Sequence, residues 1–465
     1  MFVGRERELA DLNRRYESGK FEFAVIYGRR RVGKTTLINE FIKDKECILY
    51  SATETNSKHN LIELSRSIYA LSEDYQSSES SFVNFQAAFE TVFKIAEKRR
   101  IVFVIDEYPY LAGCSKGISS ILQLLIDRYH ENSKLFIILC GSSMSFMENQ
   151  VMGYKSPLYG RRTCQYKICP FEFAEAKKYY SEFKGEDIAT VYGITGGIPL
   201  YMSLMNEKLS VEQNIKDNFL TPNAYLYEEP TNLIKQECRD ASQYNSIISA
   251  IANGASRLSE ICTKTDLDTS LATSYINKLI GLGIVKKELP FGASNSRKAI
   301  YVLEDSMFIF WYRFVQNNTS VINRGFADIV YKKIEPQIPG FMGAVFEEIC
   351  KQFLWKLLID GKCPIEFNSL GRWWGTDPTE KKQTEIDIMG EQDKDSAIFG
   401  ECKWTNEKVD LGILETLIKR SRLFSYTNVH YYLFSKSGFT KGCIDKAKEM
   451  GNVTLVSYKE IVGGC

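Results

Sequence analysis

Phe23-Ala24-Val25-Ile26-Tyr27-Gly28-Arg29-Arg30-Arg31-Val32-Gly33-Lys34-Thr35-Thr36 is the stretch that decides the reading of this chain. Its first five residues form an apolar, partly β-branched run stopped by a glycine, the pattern of a short buried strand. The next nine hold the spacing GxxxxGK[ST], and beyond them Leu37, Ile38, Phe41 and Ile42 recur at helical spacing. A glycine-rich loop between a strand and a helix is suited to phosphates, because its backbone N–H groups and the helix N-terminus offer partial positive charge. In that role the loop from Gly28 through Arg29, Arg30, Arg31, Val32 and Gly33 to Thr36 cradles a nucleotide. Lys34 would reach the β- and γ-phosphates, and the Thr35 hydroxyl would hold Mg²⁺. The competing reading is a glycine-rich βα turn without a ligand, and the correct flanks on both sides weigh against it.

A second constellation lies downstream in Ile101-Val102-Phe103-Val104-Ile105-Asp106-Glu107. Five apolar residues running into two carboxylates read as a strand buried on both faces of a parallel sheet. Its end would deliver Asp106 to the Mg²⁺, while Glu107 orients or deprotonates the attacking water. A third strand, Leu135-Phe136-Ile137-Ile138-Leu139, ends in Cys140-Gly141-Ser142-Ser143. A hydroxyl there can contact the γ-phosphate or the water, and can equally cap the next helix. The turn-rich Ser156-Pro157-Leu158-Tyr159-Gly160-Arg161-Arg162 holds two arginines. An arginine from such a loop can stabilise charge on a transferring phosphoryl group; a surface pair of basic residues fits the spacing equally well. Between these motifs Cys47-Ile48-Leu49-Tyr50 reads as another strand, and the serine-rich residues 72–81 as an exposed connection.

Composition bounds the rest. A chain of 465 residues is long enough for roughly three domains. Its 44% hydrophobic and 25% charged residues are those of an ordinary globular protein. A net charge of +1 excludes a global basic field, so any nucleic-acid surface must be local. Arg5, Glu6, Arg7 and Glu8 interrupt the apolar run that a signal peptide needs, and no apolar run is long enough for a membrane span. Twelve cysteines without a CxxC pair suit free thiols in a reducing compartment, so a cytoplasmic location is expected. Three scattered histidines argue against a histidine-based triad or metal site.

Gly4-Arg5-Glu6, GRRRVGKTT, VFVIDE, LCGSS and Gly196-Gly197-Ile198-Pro199 together resemble the archaeal-type ATPase family, AAA+-like and STAND-related P-loop ATPases of archaea and bacteria. The resemblance spans roughly residues 2–200 and implies ATP and Mg²⁺ as ligands. It implies that Phe2-Val3-Gly4-Arg5 lie near the adenine and that Ser142 senses phosphate. It also implies that Arg161 or Arg162 supplies a finger, in cis or in trans, and that Gly197 and Pro199 sit in a helical lid. No obvious second-sensor arginine stands in that lid.

Residues 241–305 read as three helices followed by a hairpin around a polar Gly/Asn/Ser turn, the outline of a winged helix. The third helix would turn Thr273, Ser274, Asn277 and Lys278 outward, a face polar but hardly basic. DNA binding and protein packing both stay open for it. The aromatic run Met307-Phe308-Ile309-Phe310-Trp311-Tyr312-Arg313-Phe314-Val315 reads as packing.

The C-terminal region carries the last constellation. A helix over about residues 342–358 bears Glu347 and Glu348 near its start. Residues 384–388 alternate as a strand with Glu385 and Asp387 on one face, and in residues 397–404 period two sets Glu401 beside Lys403, opposite Cys402. This resembles a PD-(D/E)xK nuclease core, although Glu385-Ile386-Asp387 stands where the literal Pro-Asp would be. The resemblance implies that Asp387 and Glu401 bind Mg²⁺, that Glu347 joins them, and that Lys403 positions or activates water for phosphodiester attack. Gly371-Arg372-Trp373-Trp374-Gly375 and Gly400-Glu401-Cys402-Lys403-Trp404 also resemble the C-terminal domain of unknown function that accompanies this ATPase family.

The expected architecture is therefore α/β: a P-loop core over residues 1–165, a helical lid over 166–240, a winged helix over 241–305, an aromatic linker over 306–335 and a nuclease-like domain over 336–465. The expected function is ATP binding and hydrolysis coupled to a DNA-binding or DNA-cleaving domain, with DNA and other copies of the chain as partners. The alternative is a nucleotide-dependent switch whose distal domains only bind DNA or protein.

Overall fold

Strands β1 (Glu22–Tyr27), β3 (Ile101–Asp106) and β4 (Leu135–Gly141) are buried at every position, which requires helices on both faces of their sheet. The computed structural model describes residues 2–71, 81–294 and 298–463. The serine-rich residues 72–80 and residues 295–297 of the expected hairpin turn lie outside the described residues. The chain divides into two compact units: Met1–Phe171 with Ile198–Leu200, and Glu172–Gly197 with Tyr201–Cys465.

In the first unit, β2 (Cys47–Ser51) and β5 (Cys164–Lys167) complete a five-stranded sheet in the order β2-β3-β4-β1-β5. All its pairings are parallel. Val25, Phe103 and Ile137 point into one core with Phe89 and Leu122. Their neighbours Ala24, Ile26, Val104 and Ile138 point into the other with Leu12 and Leu37. Each such fully buried aliphatic or aromatic side chain is worth about 1.5–3 kcal/mol relative to exposure. Because every strand runs the same way, the loops after β1, β3 and β4 emerge at one edge. Strand β4 lies between the strand that precedes the P-loop and the strand that ends in Asp106.

The second unit contains the expected three helices, Ala241–Ala252, Leu258–Thr265 and Thr269–Gly281. The first stops where Gly254 takes a φ of 95°, a conformation that costs glycine little. The third begins at Asp268, whose carboxylate accepts the N–H groups of Ser270 and Leu271. Strands β6 (Val285–Glu288) and β7 (Ile300–Leu303) then pair antiparallel. The aromatic run is helical, an α-turn over Ser306–Phe310 continued by a π-turn over Trp311–Val315. Phe308, Phe310 and Tyr312 are fully buried, and the Trp311 indole donates to the Tyr227 carbonyl at 2.8 Å.

A mixed sheet closes the second unit in the order β12-β11-β10-β9-β8, formed by β8 (Leu370–Thr376), β9 (Gln383–Glu391), β10 (Ser396–Lys403), β11 (Asn428–Ser435) and β12 (Val453–Ser457). Helix Ile338–Ile359 reaches one face through Phe353 against Phe434. Helix Leu411–Ser421 covers the other through Leu414 and Leu417 against Phe399 and Leu433. One expectation changes here. Gly371 pairs with Met389 but Trp373 pairs with Ile386, so β9 carries an extra residue. Ile386 and Met389, three apart, consequently share one core, and the strict alternation expected over residues 384–388 does not run on through the strand.

Candidate functional site

The loop after β1 hands the chain to helix Lys34–Ile42 through Gly33, whose φ of 88° suits a glycine. No side chain caps this helix, so its first N–H groups are free of side-chain acceptors. Arg31 at φ 74° and Glu107 at φ 50° are non-glycine residues in the left-handed region, a cost usually carried where geometry serves a site. Gly28 is required by contact: a Cβ there would stand 2.2 Å from the Ile168 carbonyl oxygen.

Lys34 is only 6% exposed, and its ammonium donates to the Gly28 and Arg29 carbonyls at 3.0 Å each. Burial draws its pKa below the ordinary lysine value. The Thr35 hydroxyl donates to Asp106 Oδ2 at 3.2 Å, and the Glu107 N–H returns to Asp106 Oδ1 at 2.9 Å. Ser142, just beyond β4, donates its hydroxyl to Glu107 Oε2 at 3.1 Å and its N–H to the same oxygen at 3.4 Å. Lys34, Thr35, Asp106, Glu107 and Ser142 thus meet at one sheet edge. Oxygen donors from Thr35 and Asp106 suit a hard divalent cation, and the uncapped helix start with Lys34 suits phosphate oxygens.

Residues outside the motif also meet the loop. The Arg30 guanidinium reaches the Tyr110 hydroxyl at 3.1 Å. Arg5 is buried, bonded to the Cys169 carbonyl and lying over the Phe171 ring, with Nη2 3.5 Å from the Val32 carbonyl. The Leu200 N–H meets the Arg31 carbonyl at 3.5 Å, and Pro199 Cγ would lie 3.8 Å from a Cβ on Gly33.

Arg161 lies elsewhere, whereas Arg162 acts electrostatically on Tyr27, the last residue of β1. Arg161 forks onto Asp127, with Nε and Nη2 each 2.7 Å from a carboxylate oxygen. It lines a cavity with Gly19, Phe21 and Lys134, residues that precede β1 and β4, so it sits at the sheet end opposite the P-loop. Arg162 donates to the Met152 carbonyl at 3.4 Å.

In the second unit Asp387 and Glu401 are each 7% exposed. Asp387 Oδ2 accepts the Cys402 N–H at 2.9 Å. Lys403 Nζ lies 2.7 Å from Glu401 Oε1, and Arg420 Nη1 lies 3.4 Å from Glu401 Oε2. Burial first, and Asp387 next, push the Glu347 carboxyl up to about 7. Burial and Asp387 likewise raise Glu401 against the pull of Lys403 and Arg420. Burial raises Asp387, opposed by the Cys402 N–H. Burial works to lower Lys403, but neighbouring Glu401 holds it above the ordinary value. The four residues therefore act on one another electrostatically. Among the described residues, however, no three His, Cys, Asp or Glu side chains gather closely enough to hold a metal ion.

Sequence reasoning missed Arg420, and it quoted Arg372, which lies 3.6 Å from Glu385, only as part of a resembling stretch without giving it a role. No motif marks Arg420; the packing of helix Leu411–Ser421 brings it in, as the pairing of β8 brings in Arg372. It also missed the hairpin's destination. The Phe291 N–H donates to the Arg372 carbonyl at 2.9 Å, and a Cβ on Gly371 would meet the Phe291 ring at 3.0 Å. The Lys286–Glu288 pair, 2.7 Å apart, lies close enough to Lys351 and Arg372 for both to lower the Glu288 pKa. Every described cysteine is a free thiol, and no described helix is long and apolar enough to cross a membrane.

Comparison with known proteins bears on both regions. An ATPase domain found predominantly in Archaea matches residues 2–205, and a domain of archaeal and bacterial proteins of unknown function matches residues 311–413. The uncharacterized protein MJECL04 of Methanocaldococcus jannaschii is 32% identical over 410 residues, covering 88% of each chain. The uncharacterized ATP-binding protein MJ0423 of the same organism is 48% identical over 46 residues, 10% of this chain and 78% of that one. The Walker-type ATPase PABY2304 of Pyrococcus abyssi superposes with a TM-score of 0.51 at 19% identity, over 67% of this chain and 96% of that one. That last likeness is one of fold.

Proposed function

The chain belongs to the same family as MJECL04 and carries an ATPase domain of the kind found predominantly in Archaea, and on that basis we propose that it binds ATP with Mg²⁺ and hydrolyses it. Lys34 would exchange two neutral carbonyls for charged phosphate oxygens, a stronger pairing for a desolvated ammonium. Thr35 and Asp106 would hold the Mg²⁺, which neutralises charge on the phosphates when bound. Glu107, steadied by Ser142, would orient the attacking water and take its proton. The observation that carries this reading is the contact between Thr35 and Asp106, two cation ligands already together at the mouth of an uncapped helix. Titration of ATP–Mg²⁺ and measured phosphate release test it. Lys34→Ala should lose binding, and Glu107→Gln should keep binding and lose turnover. Wild-type ATP affinity in Lys34→Ala protein would overturn the reading.

Completion of the site by a second copy is part of the proposal. Arg161 is separated from its own P-loop by the length of β1, six residues or about 20 Å. An Arg161 finger would therefore serve a neighbour, and the working form would then be an oligomer.

The second unit would couple nucleotide state to DNA, with residues 166–240 as lid and 241–305 as winged helix. Its nuclease-like centre would use Asp387 and Glu401 for Mg²⁺, Glu347 as a third carboxylate and Lys403 toward the scissile phosphate. Support comes from the mutual pKa shifts of these buried groups. One observation favours the second reading, a switch that binds without cutting: both Glu401 oxygens are already engaged, by Lys403 and by Arg420. Metal-dependent cleavage of DNA, assayed with and without ATP, separates the two.

A further inference from the structure

We infer that Phe291, at the tip of the β6–β7 hairpin, is a positioning residue for the nuclease-like centre: it pins the bulge in β9 that aims Asp387. What Asp387 does rests on the nuclease-like reading; how it is held rests on contacts alone. Between the pairs Gly371–Met389 and Trp373–Ile386, two residues of β9, Asp387 and Ile388, face a single residue of β8, Arg372. A bulge of this kind interrupts the ladder, bends its strand and re-aims a side chain. Asp387 is the side chain re-aimed here, and its Oδ2 accepts the Cys402 N–H of β10 at 2.9 Å. A hold is needed at this place. Asp387 pushes up the pKa of both Glu347 and Glu401, a mutual repulsion that would turn the carboxylate away on a loose strand.

The hairpin meets the bulge on its one-residue side. The Phe291 N–H donates to the Arg372 carbonyl at 2.9 Å, so the backbone opposite Asp387 is bonded by a segment outside the sheet. The ring lies against Gly371, where an added Cβ would stand 3.0, 3.6 and 3.8 Å from Cδ2, Cβ and Cγ of Phe291. It also packs with Trp373 against the core that holds Ile386 and Met389, the residues on either side of the bulge. The turn that carries Phe291 is tight: the Ala293 N–H closes on the Pro290 carbonyl at 2.9 Å, and Gly292 supplies a φ of 74°. Glu288, earlier on the hairpin, adds a charge tie, since Lys351 and Arg372 both favour its ionised form. One backbone bond and one ring thus hold the strand around Asp387, and the hairpin tip is committed to its own chain.

The Cys402 amide reports the place of Asp387 without any appeal to cutting. Amide hydrogen exchange in the full chain, read residue by residue, is compared for Phe291→Ala, Phe291→Leu, Gly371→Ala and Asp387→Ala, with Phe291→Ala also combined with each of the last two. Phe291→Ala should speed exchange at Cys402 about tenfold or more while the β11 amides keep their protection. Gly371→Ala should do the same by displacing the ring, and should add nothing in the Phe291→Ala background, where its Cβ has room. Asp387→Ala should expose the same amide, and Phe291→Ala should add nothing to that loss. Phe291→Leu, which keeps the N–H and an apolar side chain, should restore most of the protection. Should Phe291→Ala fail to fold, Gly371→Ala set against Asp387→Ala carries the same comparison. In DNA cleavage, Phe291→Ala should lower kcat about ten- to hundredfold with KM nearly unchanged, and Phe291→Leu should recover most of it. Unchanged exchange at Cys402 in Phe291→Ala and Gly371→Ala would overturn the inference, as would protection retained in Asp387→Ala. Equal loss of protection along every strand of the sheet would overturn it too, by making Phe291 ordinary core. Wild-type protein that cuts no DNA would sink the nuclease-like reading, and exchange at Cys402 would still decide whether Phe291 holds Asp387.

Discussion

The Thr35 hydroxyl lies 3.2 Å from Asp106 Oδ2, bridging the P-loop helix and the end of β3 across 71 positions of sequence. Both groups are cation ligands by chemistry, and their contact carries the first prediction. Asp106→Asn should keep nucleotide binding in EDTA and lose the gain that Mg²⁺ brings, and Thr35→Ala should do the same more weakly. ATP titrations with and without Mg²⁺ read this directly; an Asp106→Asn protein with full Mg²⁺ dependence would contradict it.

Ser142 gives two hydrogen bonds to one Glu107 oxygen. Removing the hydroxyl in Ser142→Ala should lower kcat about tenfold with KM little changed, because the base is loosened and not removed. Glu107→Gln should cost about 10²–10⁴. Steady-state kinetics on both variants decide the point, and equal losses would show that Ser142 acts on the phosphate as well.

Gly28 has no room for a side chain. In Gly28→Ala the new Cβ would meet the Ile168 carbonyl oxygen at 2.2 Å, in the stretch where the Ile168 N–H bonds the Tyr27 carbonyl at 2.7 Å. The strain should cost about 1–3 kcal/mol and lower the Tm of the first unit by several degrees. An unchanged melting curve would mean that β5 is free to move away.

Burial first, and the Asp387 carboxylate next, push the Glu347 carboxyl up from its ordinary 4.5 to about 7. A carboxyl whose folded pKa exceeds its unfolded value makes its full contribution to stability below the unfolded value and loses it as pH rises through the folded one. The second unit should therefore lose stability between about pH 4.5 and just above 7, and Glu347→Gln should flatten that slope. Mg²⁺ or Mn²⁺, if held by these carboxylates, should raise Tm at pH 8 and not at pH 5.5. Thermal melts across pH, with and without cation, make the measurement.

The nuclease reading predicts Mg²⁺-dependent cutting of DNA that Asp387→Ala and Lys403→Ala both abolish. Gel assays with purified protein test it. Intact DNA under all metal and nucleotide conditions, with binding retained, would leave the switch as the working description.

By itself the sequence determined what is written within a few adjacent residues. The P-loop, the buried strands ending at Asp106 and at Gly141, and the three helices before β6 were all legible there. Hydrogen bonding inside a turn or helix, and side-chain periods of 2 and 3.6, are properties of short segments. Only the tertiary structure decided what depends on free energies between distant segments. The sheet order puts β4 between β1 and β3 and so carries Ser142 to Glu107. The extra residue in β9 breaks the alternation around Asp387. Packing of helix Leu411–Ser421 brings Arg420 to Glu401, and the hairpin docks Phe291 over Gly371. Two adjacent arginines, equivalent as text, were told apart by Asp127, a partner 34 positions from Arg161 whose nearness no local pattern encodes.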